Sequence, residues 1–251
     1  MTPDRRPLVL VDLDDTLFQT ARKMDEDSPR FVAAEDARGV PNSYMTPVQR
    51  DFARWLFSSS DVVPVTARSV EAYGRVRLPF TCGAVCSHGG VILGADGGLD
   101  REWHAVMAGA LGNFQERLPM LCDIALQMGG EMGFSVRGWV VAEDGLNLYA
   151  VLKQNTGDDA VLAAVLEAVR KRGLLEGMRV HANGNNLAFL PEGLDKRLAV
   201  REWLRRDREV HGERPVLGFG DSLTDLGFMG ECHLWGTPAK SQVAKALERL
   251  P

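Results

Sequence analysis

Three aspartates and a threonine directly follow a short apolar run near the start of the chain. The segment reads Leu8-Val-Leu-Val-Asp12-Leu-Asp14-Asp-Thr16. Four consecutive branched aliphatic residues predict a strand buried on both faces of a parallel sheet, and such sheets bind ligands at the carboxyl ends of their strands. Crowded carboxylates repel one another unless a cation or a shared proton relieves the repulsion. The segment therefore indicates a divalent-metal site beside a carboxylate nucleophile.

Asp12 and Asp14 are of the type and spacing that phosphoryl transfer requires. We expect Asp12 to attack phosphorus as a nucleophile, and Asp14 to protonate the leaving oxygen and then activate water. Different surroundings can keep one carboxylate ionised while the other holds a proton. Aspartates two apart are also common in turns and caps, so this pair alone leaves both interpretations open.

A second acidic segment ends another apolar run, Pro215-Val-Leu-Gly-Phe-Gly-Asp221-Ser-Leu-Thr-Asp225. We predict a helix over 222–229. Residues four apart share a helix face, so Asp221 and Asp225 can complete an oxygen-rich Mg²⁺ site with Asp12. The glycines before Asp221 indicate a close approach of the backbone. Capping of the helix also explains Asp221, but it does not explain Asp225.

Thr66 and Lys196 supply the groups that the acids lack. Thr66 ends the apolar run Val62-Val-Pro-Val, where its hydroxyl can donate to a phosphate oxygen. Lys196 lies in the first turn of a predicted helix and can neutralise both phosphate and nucleophile. Alone, a threonine at a strand end is commonly a helix cap and a lysine is commonly a solvated surface charge. The prediction therefore depends on their combination with the acids.

Strands and helices alternate in the first and last parts of the chain, which predicts an α/β domain with a parallel sheet. The predicted strands are 8–11, 62–66, 84–87, 215–221 and 232–235, and the predicted helices are 46–57, 196–206 and 238–250.

The middle of the chain predicts an α+β module inserted into this α/β host. The predicted elements are a helix over 102–128 interrupted around Pro119, a hairpin over 134–152 that turns at 143–145, a helix over 158–172 capped by Asp158 and stopped by Gly173, and a hairpin over 178–190 that turns at Asn183-Gly184. We place the inserted domain at 101–191 and the host at 1–100 and 192–251.

Composition and charge exclude several classes of protein. The 251 residues are 45% hydrophobic and 25% charged, and the net charge of −5 argues against a nucleic-acid partner. No apolar run approaches the roughly 20 residues of a membrane span, and the start of the chain lacks a signal-peptide core. We therefore expect a cytoplasmic protein. The four cysteines lack zinc or redox spacing, which favours reduced thiols over a structural disulfide.

Taken in order, the motifs Asp12-x-Asp14-x-Thr16, Thr66, Lys196 and Gly220-Asp221-x3-Asp225 resemble those of the haloacid dehalogenase superfamily of phosphohydrolases. The resemblance implies a Rossmann-like core, with Mg²⁺ bound by the Asp12 carboxylate, the Asp14 backbone carbonyl and Asp221. It implies that Asp225 supports the metal or Lys196. The inserted module resembles the class IIB cap of the Cof-type and sucrose-phosphate-phosphatase-like members. Those relatives often have Asn-Gly after the third strand, where this chain has Ser87-His88-Gly89-Gly90.

Because the core grips only the phosphoryl group, we expect the cap to select the substrate. The candidate substrate-binding residues are Arg68, His88, Arg137, Asn183, Asn185 and Asn186. Two of them also have a simpler interpretation: His88 as a structural loop residue, and Asn183 as part of a hairpin turn.

The combined pattern predicts a Mg²⁺-dependent phosphatase that hydrolyses a small phosphorylated metabolite, most simply a sugar phosphate. One alternative is a phosphomutase of the phosphomannomutase type, although a mutase needs a second phosphate grip in its cap. The other is a non-catalytic metabolite-binding protein on the same scaffold. We expect a monomer or a homodimer with neither a nucleic-acid nor a membrane partner.

Overall fold

The computed structural model describes residues 6–154, 159–183 and 185–249. Its strands are β1 (Leu8–Val11), β2 (Gln19–Thr20), β3 (Phe31–Glu35), β4 (Pro41–Met45), β5 (Asp61–Pro64), β6 (Ala84–Cys86), β7 (Val91–Leu93), β8 (Val136–Glu143), β9 (Leu146–Gln154), β10 (Met178–Asn183), β11 (Asn186–Pro191), β12 (Val216–Phe219) and β13 (Leu234–Gly236). Its helices are α1 (Pro47–Ser59), α2 (Val70–Tyr73), α3 (Arg101–Ala110), α4 (Arg117–Glu131), α5 (Asp159–Lys171), α6 (Lys196–His211), α7 (Leu226–Met229) and α8 (Gln242–Leu247).

The chain divides into two compact units. The first comprises the chain up to Trp103 together with the chain from Asp195 onward, and the second is His104–Leu194. Each unit has a hydrophobic core of its own. The division lies three residues later at each junction than the boundaries predicted at 101 and 191.

The first unit is organised around a four-stranded parallel sheet in the order β13-β12-β1-β5. β1 is central, because Leu8 pairs with Val216 on one side and with Asp61 on the other. All four residues of β1 are buried, as a strand covered on both faces requires. β6 continues the sheet through a parallel bridge between Val65 and Val85. The predicted α/β fold with a parallel sheet is confirmed.

Two antiparallel elements of the first unit were not predicted. β2, β4 and β3, which lie between β1 and α1 in the sequence, form a three-stranded sheet, and β6 pairs with β7. β4 has the sequence Pro-Asn-Ser-Tyr-Met and begins with two exposed residues. Such a segment has neither the alternation nor the apolar run that identifies a strand from sequence.

Several helices differ from the predicted ones in their ends. α6 continues to His211, five residues beyond its predicted end. α8 starts after the Ser241 cap rather than at Pro238, and Leu250 lies outside the described residues. The predicted helix over 222–229 is a 3-10 turn at Leu223–Asp225 followed by α7.

The second unit is an antiparallel sheet in the order β10-β11-β9-β8, packed against α4 and α5. The predicted turn of the first hairpin is confirmed, since Asp144 and Gly145 both have positive φ, at 48° and 81°, as a tight hairpin turn requires. The predicted break around Pro119 is wrong in its position. The helical segment is interrupted between α3 and α4, and Pro119 is the third residue of α4, where its missing N–H is not needed. Asp158 and Gly184 lie outside the described residues.

Two further observations concern the described part of the chain as a whole. None of its helices is long and apolar enough to cross a bilayer. Cys82, Cys86, Cys122 and Cys232 are all free thiols.

Candidate active site

Asp12 lies at the carboxyl end of the central strand, where the sheet holds it almost completely buried. Its N–H donates to the carbonyl of Phe219 on β12 at 2.8 Å, and the residue is 5% exposed. The Thr16 hydroxyl donates to Asp12 Oδ2 at 3.4 Å. Burial raises the pKa of Asp12 well above its ordinary value, and the charges of Asp225 and Asp221 add to this while Lys196 opposes it.

Lys196 joins Asp12 to Asp225. Its Nζ donates to Asp12 Oδ1 and to Asp225 Oδ1, each at 2.7 Å. Lys196 is the first residue of α6, and the Asp195 carboxylate caps this helix by accepting from the N–H of Arg197 at 2.8 Å. Burial favours loss of the proton, but the two carboxylates outweigh it and raise the pKa of Lys196. The lysine is therefore a buried cation rather than a solvated surface charge.

Both carboxylate oxygens of Asp225 are engaged. Oδ1 accepts from Lys196, and Oδ2 accepts from the N–H and the hydroxyl of Ser222 at 3.0 and 2.7 Å. Burial opposes ionisation, but Lys196 and Ser222 lower the pKa of Asp225 below its ordinary value. Sequence reasoning missed Ser222, although Ser222-x-x-Asp225 is close to a capping-box pattern. The cap at this point is Ser222 and not Asp221.

Asp221 completes a cluster of three acids. Carboxylate oxygens of Asp12, Asp221 and Asp225 lie within 4.8 Å of one another. Burial, together with the charges of Asp225 and Asp15, raises the pKa of Asp221 to about 7. Gly220 allows this packing, because a Cβ at that position would lie 2.6 Å from the Cβ of Asp225.

The cluster has the donors and the charge that a hard divalent cation requires. When all three carboxylates are ionised, they leave two negative charges against the Lys196 ammonium, which matches one divalent ion. Carboxylate oxygens are the ligands that Mg²⁺ prefers. Both oxygens of Asp225 accept short hydrogen bonds, from Lys196 and Ser222, whereas the Thr16 hydroxyl lies 3.4 Å from Asp12 Oδ2. Asp12 and Asp221 are therefore the side chains best suited to contact a metal directly.

Thr66 and Arg68 stand beside this cluster at the end of the neighbouring strand. Thr66 is buried, and its N–H donates to the carbonyl of Val85 at 2.8 Å. Its Oγ1 accepts from the N–H of Arg68 at 3.1 Å, which leaves the hydroxyl hydrogen to be donated to a ligand. The Arg68 side chain, which is a predicted substrate contact, pairs with Asp14 through both of the Asp14 carboxylate oxygens.

The three acids of the segment after β1 have different surroundings. Asp12 is buried, whereas the side chain of Asp14 is 48% exposed. Asp15 has a positive φ of 64°, and its carboxylate forms an ion pair with Lys23 at 2.5 Å. Nothing in the sequence pattern indicated that Lys23 would reach Asp15.

His88 lies in a tight turn between β6 and β7. Ser87, His88 and Gly89 have φ values of 52°, 57° and 96°, so three consecutive residues adopt the left-handed region. The N–H groups of Ser87 and His88 donate to the carbonyls of Arg68 and Thr66 at 2.7 and 3.1 Å. His88 is 9% exposed, and the turn joins its backbone directly to the Thr66 segment.

The predicted substrate-binding residues of the inserted module belong to the second unit. Arg137 on β8 lies directly across from Lys153 on β9, and both cations lie about 6 Å from the Trp139 ring (6.0 and 5.9 Å). Asn186 is also paired with Lys153. Asn185 occupies the turn before β11 and is partly buried. Asn183 ends β10, and its side chain lies outside the described residues. Arg137 and Asn186 thus share one row of the sheet.

Comparisons by sequence find no relatives. No protein-family model matches the chain, and no curated protein matches its sequence.

Solved structures, in contrast, share the fold over almost the entire chain. Sucrose-phosphatase from Synechocystis sp., solved with sucrose and phosphate, is 17% identical, with a TM-score of 0.52 over 98% of this chain and 96% of that one. The C-terminal domain of trehalose-6-phosphate phosphatase from C. albicans is 14% identical, with a TM-score of 0.58 over 90% and 73%. A phosphatase of the haloalkanoate (HAD) superfamily from Bacteroides thetaiotaomicron is 12% identical, with a TM-score of 0.51 over 99% and 96%.

At these identities the likeness establishes the fold. The chain shares the fold of these solved phosphatases, with a parallel-sheet unit and an inserted α+β unit. The resemblance predicted from the motifs is confirmed at this level.

Proposed function

We propose that this protein is a Mg²⁺-dependent phosphatase that hydrolyses a small phosphorylated metabolite through an aspartyl-phosphate intermediate. The observation that carries the proposal is the buried Lys196, which holds Asp12 and Asp225 at 2.7 Å each, with Asp221 in the same cluster. A buried ammonium between two carboxylates is costly to maintain for stability alone. It is well suited to orienting a nucleophile and neutralising an incoming phosphate.

The reaction has two half-steps that balance in atoms and charge. In the first, a carboxylate oxygen of Asp12 attacks phosphorus, the bond from phosphorus to the ester oxygen breaks, and Asp14 gives its proton to the departing alkoxide. In the second, Asp14 takes a proton from water, the water oxygen attacks phosphorus, and the acyl phosphate bond breaks to release inorganic phosphate. Thr66 and Lys196 hold the transferring oxygens in both steps.

Mg²⁺, held by Asp12, Asp14 and Asp221 with Asp225 acting through Lys196, would neutralise the phosphoryl oxygens. The charge count of the cluster supports this assignment.

A sugar phosphate is the substrate class we propose. Sucrose-phosphatase and trehalose-6-phosphate phosphatase, whose folds the chain shares, are named for such substrates. Arg137, Asn183, Asn185 and Asn186 of the cap, together with His88 of the core, are our candidates for contacts with the sugar. A cytoplasmic location and a monomeric or homodimeric state stay predictions.

The nucleophile can be tested by replacing Asp12. We expect Asp12→Asn to lower kcat for phosphate release by on the order of 10⁴-fold or more, because it removes the attacking oxygen. The measurement is phosphate release from a panel of sugar phosphates with Mg²⁺, together with acid-quench trapping of a labelled phosphoenzyme. Asp27→Asn, an exposed change in the loop before β3, is the matched control and should retain full activity. Full activity in purified Asp12→Asn protein would overturn the proposal.

A further inference from the structure

Arg68 and Asp14 form a two-pronged ion pair. Nε and Nη2 of Arg68 donate to Asp14 Oδ2 and Oδ1 at 2.7 and 2.8 Å. The Arg68 side chain is 16% exposed, and that of Asp14 is 48% exposed. Parallel hydrogen bonds of this kind fix the plane of the carboxylate as well as its position.

The guanidinium of Arg68 is held by contacts that do not involve Asp14. Its Cζ lies 5.1 Å from the Phe18 ring centroid, and Nη1 donates to the carbonyl of Ala72 at 3.4 Å. The backbone of Arg68 donates to Thr66 Oγ1 and accepts from Ser87 at 3.1 and 2.7 Å. Burial disfavours the charge, but Asp14 and Asp12 raise the pKa of Arg68. Arg68 is therefore the fixed partner, and Asp14 is the one oriented by it.

This geometry engages Nε and Nη2 of Arg68 with Asp14 and has a consequence for proton transfer. Each oxygen of Asp14 accepts one hydrogen bond from Arg68 and keeps a second lone pair, with which it can take or deliver a proton. Arg68 can therefore hold the carboxylate in one plane while Asp14 takes a proton from water or gives one to the leaving oxygen.

We propose that Arg68 is a positioning residue for Asp14: its two parallel hydrogen bonds hold the carboxylate at the position and in the plane that proton transfer needs. The inference rests on the proposed phosphatase function and specifies how the proton-transfer group of that site is controlled.

The proposal predicts an effect that depends on the leaving group. An alkyl phosphate needs protonation of its leaving oxygen, whereas p-nitrophenolate departs without it. In single-turnover acid-quench experiments, Arg68→Ala should cleave a sugar phosphate about 10- to 100-fold more slowly. This is a partial loss of the roughly 10²- to 10⁴-fold that general acid–base catalysis contributes. Its cleavage of p-nitrophenyl phosphate should change less than about threefold. Arg68→Lys, which keeps the charge but loses the two-pronged geometry, should fall between wild type and Arg68→Ala.

Two comparisons make the test decisive. Arg77→Ala removes another two-pronged pair, with Glu35, and should leave both rates unchanged. Adding Arg68→Ala to Asp14→Asn should cause no further loss of rate, because the two changes remove one function.

Two results would overturn the proposal. Equal losses on both substrates with a raised KM would mean that Arg68 binds phosphate, and no loss of rate would mean that Arg68 has no part in the reaction. Neither depends on the Asp12→Asn result, so the failure of this inference and of the proposed function can be told apart.

Discussion

Three carboxylates and one ammonium are clustered at the candidate active site, and Asp221 is the carboxylate that the ammonium does not contact. Asp225 has its own hydrogen bonds from Lys196 and Ser222, and Asp12 has Lys196. Asp221 has no share of the Lys196 contacts, and its surroundings raise its pKa to about 7 from an ordinary 3.8. The affinity of the site for a cation should therefore change within the neutral pH range.

We predict that Mg²⁺ binds more tightly as the pH rises from 6 to 8, because Asp221 must lose its proton to become a ligand. Isothermal titration calorimetry should show proton release on binding and an affinity that increases up to about tenfold per pH unit below 7. Asp221→Asn should weaken both the affinity and its pH dependence, leaving the part that Asp12 contributes. An affinity that stays constant over this range would contradict the assignment.

The raised pKa of Asp221 also determines how the free energy of unfolding of the metal-free protein depends on pH. Since the folded state holds the Asp221 proton more tightly than the unfolded state does, the stability contributed by that proton is present below about pH 4. It is lost as the pH rises from about 4 to about 7. Mg²⁺ should restore the loss by binding the ionised form.

Among the elements, the left-handed turn at Ser87–Gly89 connects two parts of the site. Its N–H groups bond to the Thr66 segment, and a Cβ on Gly89 would lie 2.8 Å from the backbone nitrogen of Lys196. The Trp103 indole also donates to the Gly89 carbonyl at 2.9 Å. The turn therefore fixes the start of α6 relative to the Thr66 strand.

We predict that Gly89→Ala lowers both the free energy of unfolding and kcat. The new methyl group must push back the first residues of α6 and hold a positive φ, a cost of about 1–3 kcal/mol. Gly97→Ala is the matched control, because Gly97 has φ +78° but no atom within 4 Å of the added Cβ. Gly97→Ala should lower the free energy of unfolding only by the cost of holding a positive φ, about 1 kcal/mol, and should keep full kcat. Urea unfolding and steady-state kinetics measure the two effects.

The strands of the core were predictable because continuous apolar runs mark them, and the acids at their ends indicated the site. The sheet formed by β2, β3 and β4 was not predictable, since its stability comes from packing rather than from a local pattern. The ion pairs of Asp14 with Arg68 and of Asp15 with Lys23 depend on how separate loops meet, which no spacing encodes. Asp221 and Asp225 converge as predicted, but by way of a 3-10 turn instead of the expected continuous helix.

At the scale of the whole molecule, the residues proposed for phosphoryl transfer and those proposed for sugar recognition lie in different units. Arg137 is exposed on β8, and Asn186 opens β11 in the same row of the sheet. On the proposed function, we therefore expect substitutions in the inserted unit to change substrate preference without altering the chemistry of the core.

We predict that Arg137→Ala or Asn186→Ala raises KM for the preferred sugar phosphate, by about 5- to 30-fold for the loss of a hydrogen bond worth 1–2 kcal/mol. Hydrolysis of p-nitrophenyl phosphate, which has no sugar to recognise, should keep its kcat and KM. Arg170→Ala, an exposed change on α5, serves as the control. Equal effects on both substrates would remove these residues from the list of sugar contacts.

The pairing of β1 with β12 has a consequence for how the protein folds. Leu8 pairs with Val216, so the central strands of the core can pair only after the chain has been synthesised as far as Val216. Closing so long a loop is entropically unfavourable and slow. The second unit, by contrast, is built from hairpins and helices contiguous within His104–Leu194. By collapsing first, the second unit would shorten the loop that the core must close. It would thereby speed the formation of the sheet that carries Asp12.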